Sequence, residues 1–382
     1  MQSEKCMFKD RYWDFESEGF VTFKCSEPAI KDNLCVFHHP EYWKENEKQV
    51  RERFHEKVEA ARRNKEKLVC RGYNLPSIEA TGEFESSVYF SRTKFHGMAN
   101  FSNARFCKVA GFPHAEFSEN ADFFHTTFSG VADFFGAQFS KEAKFERARF
   151  SESAFFTNLR KDSKEGPVLF FTDVNFEKPE LVWFGQFDLA NTSFLYTDVS
   201  KINIGETVTW GSDRRIFDER RADRAEHAVH YGIVATVYRR LRQNLESKMR
   251  YTDAGRFFIG EMECKRKSAR VNNPVLRWIR TNIFSALAWY KYMSNYGESY
   301  RRVILWVLLA PAAVALLITV PQMSQPSEFI TILLQNLQNC IYAFFQLKTD
   351  NPVELALRIL SLLLMGQLYI SLRRQFERRY KG

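Results

Sequence analysis

The sequence predicts a mixed β and α chain: a β-solenoid followed by a helical hairpin and a transmembrane helical region. Three observations predict it. Phenylalanine recurs at Phe84, Phe90, Phe95, Phe101, Phe106, Phe112, Phe117, Phe123, Phe128, Phe134, Phe139, Phe145, Phe150 and Phe156, in steps alternating six and five, so the true period is eleven residues. The composition turns helical from 218 to 268. Two apolar runs follow, 303–320 and 353–372, eighteen and twenty residues long.

An eleven-residue apolar period can also mark a right-handed helical supercoil. At about 100° per residue, however, steps of five and six throw successive rings roughly 120–140° apart, so no single seam forms. Gly111, Gly130, Gly136 and Pro113 also oppose a long helix. A flat strand fails because an odd step turns the side chain to the other face. The chain must therefore bend after each short extended piece, so that every Phe returns to one interior. Two places before most rings stands a small residue, as at Ala99, Ala104, Ala110, Ala115 and Ala121. One large and one small side chain per face then fill the tube, and repetition at fixed period is the mark of a solenoid.

The string "ANFSNARFCKVAGFPHAEFSENADFFHTTFSG" resembles the pentapeptide-repeat family, in a Phe-centred variant with one extra residue every second repeat. The resemblance implies a four-sided, right-handed β-helix, here assigned to 73–215. Four faces use 22 residues, so 84–156 makes roughly three coils, and 168–210 adds one or two degenerate ones through Phe171, Phe176, Phe187, Phe194, Val199 and Ile204. The last coil needs a cap for its unpaired backbone groups, assigned to Trp210 and the chain after it. Phe95, Phe101, Phe106, Phe112, Phe117, Phe123, Phe128, Phe134, Phe139, Phe145 and Phe150 are the expected structural ladder.

The 382-residue chain carries a net charge of +9, but 81–160 holds nine acidic and nine basic residues. Gyrase-protecting DNA mimics among pentapeptide-repeat proteins are acidic, and this rod lacks their charge. Nucleic acid is therefore an unlikely partner. Seven scattered cysteines, with no secretory signal at the start, point to a reducing, cytosolic setting.

The leader, 1–40, holds Cys6, Cys25, Cys35 and His38 in a C-x18-C-x9-C-x2-H spacing. Soft thiolates with one imidazole suit structural zinc; free cysteines beside a partly buried histidine are the alternative. "LCVFHHPEYW" also resembles a short Cys/His leader that precedes the repeats in related proteins. Trp43, Val50, Phe54, Val58 and Ala61 place an amphipathic helix within 41–72. The hairpin, 216–270, combines a helix through Val229, Ile233, Val237, Leu241 and Leu245 with a second one opening at an N-cap on Thr252 or Asp253. Glu261 and Glu263 do not share a helical face, so they read as ion-pair partners for Arg239, Arg240 or Lys265 rather than as a catalytic pair. The segment 271–300 reads as a basic, Trp/Tyr-rich amphipathic helix at the headgroup interface.

The final region, 301–382, resembles a two-span, pore-loop ion-channel module. Arg301 and Arg302 precede the first apolar run, Arg373, Arg374, Arg378, Arg379 and Lys381 follow the second, and 321–352 holds one base, Lys348. The positive-inside rule puts both termini in the cytoplasm, and a bacterial inner membrane is the family's natural setting. Between the spans, 329–347 reads as a re-entrant pore helix or as a third helix at or across the membrane. A potassium filter is a Gly-rich carbonyl loop, whereas "FFQLKTDNP" has no glycine. Gln346, Thr349 and Asp350 are the pore-mouth candidates. Three roles follow: a channel-like homo-oligomer whose rod senses or docks a protein partner, a non-conducting membrane-anchored scaffold, and, remotely, nucleic-acid or topoisomerase binding. There is no P-loop, nucleophile elbow or metal-protease motif, so an enzyme is not expected.

Overall fold

The computed structural model describes residues 5–159, 168–211, 215–224, 229–268, 273–322, 328–345 and 352–381. They form two compact units, Met1–Asn244 and Leu245–Gly382.

The first unit is a β-solenoid of about six turns with four parallel faces of seven, four, six and five strands. Most strands are two residues long and pair with the residue 22 places on, as Ala110 does with Ala132 and Phe106 with Phe128. The turns outnumber the three regular and one or two degenerate coils read from the repeat. The reason lies at the N-terminal end. The strand Leu68–Val69 already pairs with Val88–Tyr89, and Cys70, Tyr73, Leu75, Ile78 and Ala80 fill the first turn where no Phe marks it.

All eleven expected ladder phenylalanines are at most 1% exposed. Their rings stack in four columns, one per face. Along the column Phe90, Phe112, Phe134, Phe156 and Phe184 the ring centroids lie 5.2, 4.9, 5.2 and 5.0 Å apart. Along Phe101, Phe123, Phe145 and Phe171 they lie 5.1, 4.8 and 4.9 Å apart. These are close to the distance between hydrogen-bonded strands, about 4.8 Å, so backbone pairing itself sets the rings in contact. Columns meet edge to face, as Phe112 and Phe123 do at 83°, the other arrangement that the ring quadrupole favours.

The alternation of six and five residues has a backbone cause. Every five-residue step turns its corner through a residue with positive φ two places after the Phe: Arg92, Asn103, His114, His125, Gly136 and Arg147. The residue after it donates its N–H back to the Phe carbonyl, as Thr93 does to Phe90 and Ala104 to Phe101, both at 3.1 Å. A positive φ at the third residue of a four-residue turn is the type II requirement. The six-residue steps between Phe95 and Phe101, Phe106 and Phe112, and Phe117 and Phe123 contain no positive φ. The extra residue replaces the left-handed turn.

Both ends of the stack are covered. The N-terminal end carries α1 (Tyr42–Glu45) and α2 (Glu47–Asn64), the latter burying Val50, Phe54 and Val58. At the C-terminal end, α3 (Phe217–Asp223) and the first part of α4 (Tyr231–Ser247) take up the last coil's polar groups. Buried Asp218 accepts from Ser193 Oγ at 2.6 Å and from the Phe194 N–H at 3.0 Å. Arg240 donates to the Thr197 carbonyl at 2.8 Å, and Asn244 Nδ2 donates to the carbonyls of Val199 and Ile202 at 2.8 and 2.7 Å. Trp210 is buried beside this cap, but side chains of the helices bond the edge.

The second unit holds the rest of α4 and α5 (Tyr251–Lys267), α6 (Pro274–Asn282), α7 (Ala286–Ser294), α8 (Tyr300–Gln322), α9 (Phe329–Phe345) and α10 (Pro352–Lys381). Helix α5 begins one residue before the expected cap. Asp253 lies inside its first turn, paired with Arg250 at 2.9 Å, where a carboxylate complements the helix dipole. Helices α8 and α10 are long and apolar enough to cross a membrane, while α9 has 17 residues and packs against both. Val303, Ala310, Ala315, Phe344, Leu357 and Leu364 form their shared core.

Two predictions follow from the solenoid. Phe123→Ala removes a ring from the centre of the stack, and an unfolding midpoint measured on the full chain in detergent should report a loss of about 3–5 kcal/mol. Asp133 is the second case. It is 7% exposed and its Oδ1 accepts the Phe135 N–H at 2.9 Å; burial pushes its carboxyl up from 3.8 to about 6. Between those pH values the folded form keeps a proton that the unfolded form has lost, so stability falls as pH rises through the window. Asp133→Asn should therefore stabilise the chain by about 1–3 kcal/mol at pH 8 and by almost nothing at pH 4. Equal effects at both pH values would refute the buried carboxyl.

Candidate metal centre

The leader builds its site from a feature that the residue spacing does not announce. Strands β1 (Lys9–Asp14) and β2 (Gly19–Lys24) form an antiparallel hairpin in which Lys9 pairs with Lys24. Just beyond its open end, the Cys25 N–H donates to the Phe8 carbonyl at 3.1 Å. The eighteen residues between Cys6 and Cys25 thus fold away as the hairpin, and the two cysteines return to one place. The alternation in "KDRYWD" and "GFVTFK" around "FESE" was the available signal.

Cys35 and His38 arrive on a tight turn. The Cys35 carbonyl accepts the N–H groups of His38 and His39 at 3.1 and 3.0 Å, which sets the C-x2-H pair side by side. The four ligand atoms of Cys6, Cys25, Cys35 and His38 all lie within 4.8 Å of one another, and all four residues are buried.

The geometry fits a tetrahedral ion. Metal–sulfur bonds near 2.3 Å and a metal–nitrogen bond near 2.0 Å imply edges of about 3.8 Å between sulfurs and about 3.5 Å from sulfur to nitrogen. Cys25 and Cys35 Sγ are 3.8 Å apart, and His38 Nδ1 lies 3.4 Å from Cys6 Sγ and 3.1 Å from Cys35 Sγ. The imidazole is also held in the right tautomer. Its Nε2 is 2.9 Å from the Arg71 carbonyl, which can only accept, so the proton sits on Nε2 and Nδ1 presents its lone pair to the sulfurs. Phe8 stacks on the ring at 3.8 Å and Tyr73 meets it edge-on at 5.0 Å.

The thiols are already polarised for this task. The Cys25–Cys35 hydrogen bond holds the Cys35 thiol well below its usual value, while the same bond and burial push Cys25 up. A thiolate is the form that ligates a metal. The cluster thus could hold a metal ion, with all four positions taken by protein. A closed site would leave no position for a substrate.

The hairpin also reaches the solenoid. Arg71 pairs with Asp10, Tyr89 donates to Asp14 Oδ1 at 2.5 Å, and Lys67 lies 3.0 and 2.7 Å from Asp14 and Glu16. Burial raises the Asp14 carboxyl, but the hydrogen bonds from Tyr89, Lys67, the Glu16 N–H and Ser17 outweigh it and hold the group down to about 2. The cluster therefore lies where leader and first turn are tied together.

The other expected residues fall differently. Gln346, Thr349 and Asp350 lie outside the described residues. Glu261 pairs with Lys265 at 2.7 Å, as one of the expected partners. Glu263 does not pair with Arg239 or Arg240; it takes Arg266 at 2.7 Å, Lys291 at 2.9 Å and the Tyr296 hydroxyl at 2.7 Å. Burial raises its carboxyl, but these three donors outweigh burial and hold it below the usual range. Arg266 stands three residues on in the same helix, whereas Lys291 and Tyr296 come from α7 and the turn after it, about 30 residues on, where local spacing carries no signal.

The chain matches no protein-family model, no curated protein and no solved structure.

The cluster predicts a spectroscopic result. Cobalt(II) added to the apo chain should give a sulfur-to-metal charge-transfer band and strong visible bands of a tetrahedral site. His38→Ala should weaken or shift them, and Cys35→Ser should abolish tight binding. Pale octahedral cobalt in the unmodified chain would contradict the assignment.

Proposed function

We propose that this chain is a membrane-anchored pentapeptide-repeat protein, with a zinc-tied leader, whose C-terminal helices form a channel-like homo-oligomer and whose solenoid senses or docks a protein partner. The observation that carries the reading is one chain with a six-turn Phe-stacked solenoid and two helices able to span a membrane, with a third packed against both. The exposure of those helices supports it. Leu308, Leu317, Ile330 and Leu334 are each at least 60% exposed, an apolar surface that water would not tolerate on this scale and lipid or a second copy would.

Polar groups inside the helical set support assembly rather than a bare anchor. Asn336 Nδ2 donates to Thr319 Oγ1 at 3.0 Å and to Gln322 Oε1 at 2.9 Å. Arg358 Nη1 donates to the Phe344 carbonyl at 3.0 Å and lies 3.4 Å from Ser361 Oγ. Arg358 thus turns to the end of α9 instead of to Glu354. Gln335, Gln338 and Asn339 remain exposed on α9, and amides at membrane depth need protein or water. Two spans cannot enclose a pore alone, so an oligomer supplies the remaining wall.

On this reading the charge of the flanks puts both termini in the cytoplasm, and the resemblance to pentapeptide-repeat proteins implies a bacterial inner membrane. Zinc is the metal that three thiolates and one imidazole select under reducing conditions, and its role is structural. The protein works without catalysis on this reading, and nucleic acid is not its partner. The second reading is a non-conducting scaffold, favoured by the absence of glycine from "FFQLKTDNP".

Ion flux through the purified chain in liposomes separates the two. A channel gives flux that Asp350→Asn and Gln346→Ala alter. Inserted, oligomeric protein that passes no ion under any condition favours the scaffold. Metal analysis of chain purified without chelator should return about one zinc per chain, lost in Cys35→Ser.

A further inference from the structure

The helices that precede the first span carry a surface with two chemistries side by side. Leu276, Trp278 and Phe284 on and after α6, and Trp289 and Tyr292 on α7, are 56, 60, 79, 54 and 48% exposed. Neither helix buries these side chains, although α7 itself is anchored. It packs on α8, Ala288 and Ser294 are buried, and the Trp306 indole N–H donates to the Tyr292 carbonyl at 3.2 Å. The open aromatic face is thus continuous with the start of the span and lies on fixed helices.

Charge says what covers it. From 273 to 302 the sequence has five basic residues, Arg277, Arg280, Lys291, Arg301 and Arg302, and a single acid, Glu298. Glu298 is engaged by Arg374 at 3.2 Å and Lys291 by Glu263 at 2.9 Å. Arg280, Arg301 and Arg302 are exposed and have no carboxylate partner among the described residues. A protein partner would have to supply acid and aromatic-binding grooves together. An anionic phospholipid leaflet supplies phosphate at the depth of the arginines and acyl chains at the depth of the rings.

We propose that α6, α7 and the first turn of α8 form a docking surface for anionic phospholipid, with Arg280, Arg301 and Arg302 meeting the headgroup phosphates and Trp278 and Trp289 seated at the acyl boundary. The inference rests on the membrane-anchored reading above and adds the class of lipid and the side chains that select it.

The test uses the full chain in vesicles of mixed phosphatidylglycerol and phosphatidylcholine, in a Trp306→Phe background that removes the span's own indole. Either lipid is supplied in acyl-brominated form, and quenching of tryptophan fluorescence is read. Brominated phosphatidylglycerol should quench at about fivefold lower mole fraction than brominated phosphatidylcholine. Arg280→Gln, Arg301→Gln and Arg302→Gln together should remove the difference, and Trp278→Phe with Trp289→Phe should remove the quenched emission. Raised salt should erode the preference in unmodified arginine background, and millimolar inorganic phosphate should leave it. Equal quenching by both lipids, or a preference that survives the triple change, overturns the proposal. Loss of preference to free phosphate overturns it in favour of a soluble-anion site. Protein that fails to insert at all refutes the membrane-anchored reading itself, a separate outcome scored by flotation.

Discussion

Ring-on-ring stacking at the spacing of paired strands is the constraint on which the first unit depends. Strand pairing fixes the rise per turn, and a phenyl ring is close to the thickness that fills it. The Phe117–Phe139 centroids are 4.9 Å apart with planes 10° from parallel. A wider residue would force strands apart, and a thinner one would leave a void along the axis. The eleven-residue period follows from the same constraint. Each face must return its ring to the column, and the two corner types reach it with five residues and a left-handed turn, or with six and none. Glycines appear where adjacent turns leave no room for a side chain. A Cβ on Gly130 would stand 2.6 Å from the Lys108 backbone.

A stack of this kind has two open ends, and the chain spends most of its remaining polar chemistry there. At one end α3 and α4 bring Asp218, Arg240 and Asn244 to the last coil's backbone. At the other, the hairpin, α2 and the Cys3His cluster gather around the first turn. The small leader buries little apolar surface of its own, so four ligands and one ion would supply the order that a core supplies elsewhere. The second unit is built differently. Its three apolar helices share a core of alanines and a few large side chains while their outer faces stay apolar.

The solenoid was legible because its signal is a period repeated over seventy residues, and a period survives the loss of any one position. The count of its coils came out low, because Leu68, Tyr73, Leu75 and Ile78 carry the same inward positions without the aromatic mark. The metal ligands were legible as residue types, yet their spacing looked irregular until β1 and β2 folded the eighteen-residue gap out of the way. Local spacing cannot show a ligand set that a hairpin assembles. The bonds of Glu263 to Lys291 and Tyr296 were invisible for the same reason, since they join elements about 30 residues apart, whereas its pairing with Arg266 is local to α5. The caps of the helices fared unevenly. Asn273 and Ser285 cap α6 and α7 by side-chain bonds to the first turn, whereas Asp253 serves a salt bridge within the first turn of α5.

Hydrogen exchange on the full chain, with and without a chelator, tests the central claim most directly. The account predicts that amides on the turns from Phe95 to Phe150 exchange together and slowly. It further predicts that removing metal speeds exchange only in the leader and the first turn it is tied to. Middle turns exchanging as fast as exposed loops would contradict the stacked solenoid, and a leader indifferent to chelation would contradict the metal that orders it.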